Sequence, residues 1–217
     1  MSEYIVFYDL DHTLIAASSG QLIVKDLYLS NMLSLLALGK GMVLSTLYRM
    51  GFISTESLIQ KWVTKLAGMQ CSFLERYSET FFDQTVKKYI YPQALESLYI
   101  HKAQGAYLVL LSASLDFICK PVMKYLHFDA MLCTQLEVNN DYYTGSIKGS
   151  YCYGKEKLNR ALQLCLNHTF NIHDAYYYAD SFADIPVLEA VGHPHCVNPD
   201  KKLLRIAQLQ GWAIHSW

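Results

Sequence analysis

Four short runs of this chain, at residues 4–8, 107–111, 175–179 and 195–197, are essentially apolar from end to end, and they constrain the fold more than any other feature. A strand with one wet face alternates apolar and polar side chains, whereas a continuous run needs cover on both faces. Helix-length stretches lie between them. In residues 93–104, 116–126 and 155–166 the apolar positions recur every three or four residues, as on a helix with one buried side. The pattern predicts an α/β architecture in which a parallel sheet is covered by helices on both faces.

Almost a hundred residues separate the first run from the second, far more than one crossover helix requires. Most of residues 21–89 reads as helix without strand signals, so a helical cap over residues 16–89 is expected to interrupt a core made of residues 1–15 and 90–217. Residues 39–41 and 51–55 supply break points inside that insertion, with Ser54 or Thr55 as a helix cap. Asn139, Asn140 and Asp141 form a turn between two strand-like segments, 134–138 and 142–147, which predicts a small hairpin.

Composition narrows the classes of function. Hydrophobic residues make up 52% of the 217 positions and charged residues 17%, enough apolar surface to offset the entropy of folding. A net charge of -1 without any long basic run gives nucleic acid nothing to bind. The six cysteines are dispersed with no C-x-x-C pair, which reads as a reduced, cytoplasmic protein, and the first residues show no basic start or cleavage site, so the mature chain is expected to begin there. Residues 27–39 and 41–48 carry no charge, but each run is shorter than the roughly 20 residues that span a bilayer. A buried helical pair is the preferred reading, with an apolar surface resting on a membrane as the other.

In an open parallel sheet, ligands bind beyond the carboxyl ends of the strands. Here those positions read Asp9-Leu10-Asp11-His12-Thr13, then Ser112-Ala113-Ser114, then Asp180-Ser181-Phe182-Ala183-Asp184. Asp9 and Asp11 are two apart, so both can face one side of an extended chain. Gathering them with Asp180 and Asp184 is unfavourable without a cation, and carboxylates together with a substrate phosphate suit Mg²⁺. Ser112 can donate a hydroxyl to phosphate, and a lysine at the start of the 155–166 helix, Lys155 or Lys157, can balance charge on phosphoryl oxygens.

This arrangement resembles the haloacid dehalogenase superfamily, whose Asp-x-Asp-x-Thr signature is matched by Asp9, Asp11 and Thr13 after a hydrophobic strand. The serine, the lysine and the acidic pair follow in that family's order. More narrowly, the chain is similar to the phosphoserine-phosphatase-like branch with a helical cap, in Tyr91-Pro92-Gln93-Ala94, Leu111-Ser112-Ala113-Ser114 and Val197-Asn198-Pro199-Asp200. The resemblance implies a Rossmann-like core and hydrolysis of a small phosphomonoester. It implies that Asp9 takes the phosphoryl group as an aspartyl-phosphate and that Asp11 is the general acid and base. It further implies that Ser112 and Ala113 bind phosphate and that Mg²⁺ is held by the Asp9 side chain, the Asp11 carbonyl and Asp180. Asp184 is then either a metal ligand through water or, like Thr13, a residue that stands behind these groups and orients them. Lys157 is preferred over Lys155 as the phosphate-contacting lysine, because Leu158, Ala161 and Leu164 follow it at helical spacing. A phosphotransferase or mutase would use the same Asp9, and the apolar cap also leaves a lipid-like phosphate open as substrate.

Two positions depart from the family pattern. An acidic residue that recognises the substrate amine in phosphoserine phosphatases stands nine positions after the nucleophile, where this chain has Ser18. Ser18 is therefore the specificity candidate, and phosphoserine a poor first choice of substrate. Ala179 replaces the glycine that usually precedes Asp180. His193, His195, His168 and His173 match no closed zinc site and are assigned to packing or loops, His12 to orienting its loop, and the tyrosines at 176–178 to filling a sheet surface.

Overall fold

The computed structural model describes residues 4–29 and 55–217. The expected break points at residues 39–41 and 51–54, Ser54, and the uncharged runs at residues 30–39 and 41–48 lie outside the described residues. Six parallel strands make the main sheet: β1 (Ile5–Tyr8), β2 (Tyr107–Leu115), β3 (Ala130–Thr134), β6 (Tyr176–Ala179), β7 (His193–Val197) and β8 (Ala213–His215), in the spatial order β3-β2-β1-β6-β7-β8. Between β3 and β6 in sequence, β4 (Leu136–Asn139) and β5 (Tyr142–Ile147) form a separate antiparallel hairpin. Its turn is built from Asn140 and Asp141, both at positive φ, as the two central residues of a tight hairpin turn require.

The continuous apolar strands have the cause read from sequence: both faces of the sheet are covered. Val6 and Tyr8 point to one face with Leu108, Leu110 and Tyr178, where α3 (Cys71–Gln84), α4 (Pro92–Ala103) and α5 (Asp116–Leu126) pack. Ile5 and Phe7 point to the other with Val109, Leu111 and Tyr177, against α6 (Lys155–His168), α7 (Ile185–Leu188) and α8 (Lys201–Gln210). All four residues of β1 are fully buried, as its central place between β2 and β6 demands.

Between Ile15 and Ile90 the described residues form α1 (Ser19–Leu29), α2 (Thr55–Val63), α3 and two short 3-10 turns. No strand occurs there among the described residues. The hairpin of β4 and β5 docks on this helical part: the Gly68 N–H donates to the Tyr143 carbonyl at 2.8 Å and the Cys71 N–H to the Asp141 carbonyl at 2.9 Å. A Cβ on Gly145 would stand 2.9 Å from Ala67 Cβ, so the close approach needs glycine.

Several elements differ from expectation, including β8, which is not among the expected strands. β2 runs on to Leu115 through a register shift between Leu111 and Leu115, which carries Ser112 to Ser114 within the strand instead of after it. Thr134 ends β3, a sheet strand, and the hairpin begins only at Leu136. β7 starts at His193, where His193 stacks on Tyr176 at 4.2 Å and His195 on Tyr178 at 4.4 Å. The cysteines form no disulfide, and no helix among the described residues is long and apolar enough to cross a membrane.

Candidate active site

Strand order reverses direction at β1: the chain moves outward through β2 and β3 on one side, then returns to fill β6, β7 and β8 on the other. The carboxyl ends of β1 and β6 therefore flank a crevice. Asp9 follows β1 directly, its N–H donating to the Tyr178 carbonyl at 2.9 Å and so prolonging the β1–β6 ladder. Asp180 follows β6. Asp184 closes the 3-10 turn Phe182–Asp184, whose entry is capped by the Ser181 hydroxyl accepting from the Ala183 N–H at 3.2 Å. One carboxylate oxygen from each of Asp9, Asp180 and Asp184 lies within 4.8 Å of the others.

Lys157, in the first turn of α6, reaches into this cluster. Its Nζ donates to Asp9 Oδ1 at 2.8 Å, to Asp184 Oδ1 at 2.7 Å and to the Tyr177 hydroxyl at 3.2 Å. Tyr177 in turn donates to Asp184 Oδ1 at 2.7 Å. The α6 helix starts at Gly154, whose φ of 54° and ψ of -122° suit glycine and aim the first turn at the crevice. Lys155 is exposed on the opposite side of that turn.

Electrostatics explain why these groups need one another. Burial pushes the Asp9 carboxyl up to about 7 although Lys157 draws it down, and burial with repulsion from Asp9 and Asp184 pushes Asp180 up to about 9. Burial alone would lower the Lys157 ammonium, but the charges of Asp184 and Asp9 outweigh it and hold the group well above its ordinary value. One ammonium thus faces three crowded carboxylates. A hard divalent cation fits that oxygen donor set, since it would stabilise the ionised form of every member.

Asp11 is placed differently. Its Oδ1 accepts from the Ser19 N–H at 2.9 Å and its Oδ2 from the Ser18 hydroxyl at 3.4 Å, so the side chain is held against the start of α1. Burial raises its pKa, partly offset by those bonds to Ser19. Ser18 also accepts from the Gln21 N–H at 3.4 Å, a cap on α1, and it lines the same cavity as Asp9 and Asp11. The buried Ser112 hydroxyl accepts from the Ser114 N–H at 3.2 Å, and the Ala113 carbonyl accepts from Thr134 at 2.9 Å, which fixes this stretch beside the crevice. Thr13 is fully buried behind Asp11, and its hydroxyl has no hydrogen-bond partner among the described residues. His12 adopts a positive φ of 56° in the loop that turns Asp11 toward α1.

Asp9, Asp11, Ser18, Ser112, Ala113, Lys157, Asp180 and Asp184 thus meet at one cavity, while Thr13 lies behind it. His168, His173, His193 and His195 take no part in any metal-binding cluster among the described residues. Two residues at the site have no role in the sequence reading. Strand alternation sends Tyr177 to the face where α6 packs, but nothing in the run of three tyrosines signals its bonds to Lys157 and Asp184. Ser19 was legible only as the N-terminal residue of α1, where an N–H lacks a helical partner.

Comparison with known proteins agrees with this geometry. The haloacid dehalogenase-like hydrolase family matches residues 6–189. A protein of Mycobacterium tuberculosis named "probable phosphatase" is 28% identical over 215 residues, which cover 97% of this chain and 74% of that one. The crystal structure of a protein of unknown function from Bordetella pertussis Tohama I superposes with a TM-score of 0.92 at 26% identity, covering 99% of each chain. A substrate-bound phosphoserine phosphatase structure shares the fold at a TM-score of 0.71 and 15% identity, over 99% of this chain and 93% of that one.

Proposed function

The chain belongs to the haloacid dehalogenase-like hydrolase family, and from that premise we propose that it is a Mg²⁺-dependent phosphomonoesterase working through an aspartyl-phosphate on Asp9. The observation that carries this reading is the buried contact between Asp9 and Lys157 at the mouth of the β1–β6 crevice. Residues 16–89 are read as the cap over a core of residues 1–15 and 90–217.

In this reading a carboxylate oxygen of Asp9 attacks phosphorus and the ester P–O bond breaks. Asp11 protonates the departing alkoxide, then takes a proton from the water that attacks the same phosphorus. The P–O bond to Asp9 breaks and inorganic phosphate leaves, which restores both carboxyl groups. Lys157 neutralises charge on the phosphoryl oxygens while keeping Asp9 oriented, and Ser112 with the backbone at Ala113 holds the phosphate. Asp9, Asp180 and the Asp11 carbonyl would hold Mg²⁺, which supplies positive charge to the phosphoryl oxygens. Asp184 commits Oδ1 to Lys157 and Tyr177, which suits an orienting role.

The test is phosphate release from a panel of phosphomonoesters with Mg²⁺, for the wild type and Asp9→Asn. Release by the wild type and a loss of at least about 10³-fold in the variant supports the reading. Release by neither protein removes it, and transfer of phosphate to an added alcohol in place of water makes the chain a phosphotransferase.

A further inference from the structure

We propose that the organic part of the substrate is predominantly apolar and carries no ammonium group, with about six carbons or more. This rests on the phosphomonoesterase reading above and names the substrate class for the same site. The catalytic groups occupy one end of a cavity of about 720 Å³. A phosphoryl group held by Asp9, Ser112 and Lys157 directs its ester oxygen toward Asp11, and the organic group must then extend away from the sheet into the rest of that space. A phosphorylated three-carbon amino acid would leave most of it to water.

The walls there are apolar and come from helices that turn their apolar sides inward. Val24 and Leu27, three apart on α1, face the cavity together with Phe73 and Tyr77, four apart on α3, and Trp62 of α2. Phe117 of α5 closes the wall on the core side. These are not simply core residues, because Phe73 keeps 43% of its surface exposed among the described residues, and Trp62 and Tyr77 are half-buried. An apolar ligand would remove that surface from water.

Charge points the same way. Outside Asp9, Asp11, Lys157, Asp180 and Asp184, the described lining residues include no carboxylate, and Lys65 and His12 are the ionisable side chains other than tyrosine. Lys65 sits with its Nζ 4.5 Å from the centre of the Trp62 ring. Among the described lining residues a substrate ammonium would find no carboxylate beyond the catalytic groups and would be repelled by Lys65, while Asp26, outside the lining, already accepts from the Tyr77 hydroxyl at 2.7 Å. Ser18, a neutral residue on the same lining, has its hydroxyl engaged with Asp11 and the α1 backbone.

The experiment compares phosphate release, with Mg²⁺, from ethyl, butyl, hexyl and octyl phosphate below their micelle-forming concentrations, from 1-naphthyl phosphate, and from O-phosphoserine. The expected result is a kcat/KM that climbs about threefold per added methylene until the cavity fills. O-phosphoserine should fall at least about 100-fold below the best alkyl or aryl ester. Gain along the alkyl series alone identifies a chain, and gain with the naphthyl ester alone identifies a ring system. Phe73→Glu, at a half-exposed site, should flatten the chain-length dependence, and the wild-type series decides the matter whether or not that variant folds. A flat alkyl series with no gain on the naphthyl ester, or O-phosphoserine as the best substrate, overturns the inference while leaving the phosphatase reading intact. Release from none of the esters overturns that reading and this inference with it.

Discussion

Lys157 holds its Nζ 2.8 Å from Oδ1 of Asp9 in a pair whose side chains are only 3% and 9% exposed. A buried ammonium beside a buried carboxylate is costly to assemble and more costly to break, because removing one partner leaves the other charge without compensation. The same ammonium serves Asp184, so one side chain ties together two acids 175 residues apart in sequence.

Lys157→Met should therefore cost about 3–5 kcal/mol of stability at neutral pH in metal-free protein, measured by urea unfolding. The loss should shrink as pH falls, since a protonated Asp9 no longer needs a cation. Phosphate release should drop by at least about 10²-fold. A variant as stable as wild type at pH 7 would show that the pair is not formed in solution.

Tyr177→Phe removes one hydroxyl that donates to Asp184 and accepts from Lys157, without changing the ring that fills the sheet face. The expected cost is about 1–2 kcal/mol in stability, with kcat falling more than KM changes, because Lys157 loses one of its fixed neighbours. Unchanged kcat would confine Tyr177 to packing.

Mg²⁺ should raise the melting temperature, and more so at higher pH. Asp9, raised to about 7, and Asp180, raised to about 9, both favour the protonated form in the fold. Their contribution to stability is present below about pH 4 and is lost as pH rises through 7 and then 9. A bound cation relieves that loss, so the metal-induced shift should grow between pH 5 and pH 8, by about 2–4 °C or more at saturation. Asp180→Asn should abolish most of it. A shift that is absent, or constant with pH, would contradict the assignment of the metal to these carboxylates.

How much of this could be read in advance depended on whether a cause was local. β1 and its Asp9-Leu10-Asp11 end, the Asp116–Leu126 helix and Lys157 at the start of α6 were legible because periodicity and strand-end position are sequence properties. β3 and the extension of β2 were not, since the register shift that carries Ser112 to Ser114 along the strand depends on pairing with Thr134. The place of Asp11 against α1 was also hidden, because it is set by the Ser19 N–H where the helix begins. Tyr177 sat inside an apolar run of three tyrosines, and only its partners from α6 and the Phe182–Asp184 turn distinguish it from its neighbours.

His195 supplies a check away from the site. Burial, then neighbouring His215, pushes it down to about 4, with its Nδ1 2.8 Å from His215 Nε2 and its ring 4.4 Å from Tyr178. Because the unfolded chain binds a proton near pH 6.5 and the folded one does not, its contribution is present above that value and is lost as pH falls toward 4. His195→Phe, which keeps the stacking, should flatten the stability profile in that window, as followed by thermal unfolding. An unaltered profile would assign acid sensitivity elsewhere.

Acceptance of the phosphoryl group by Asp9 is read out by rapid acid quench during turnover followed by peptide mass spectrometry. One added phosphoryl group should appear on the peptide that contains Asp9, lost on base treatment and absent from Asp9→Asn. Turnover by Asp9→Asn at the wild-type rate, or a phosphoryl group found only on another peptide, would contradict it.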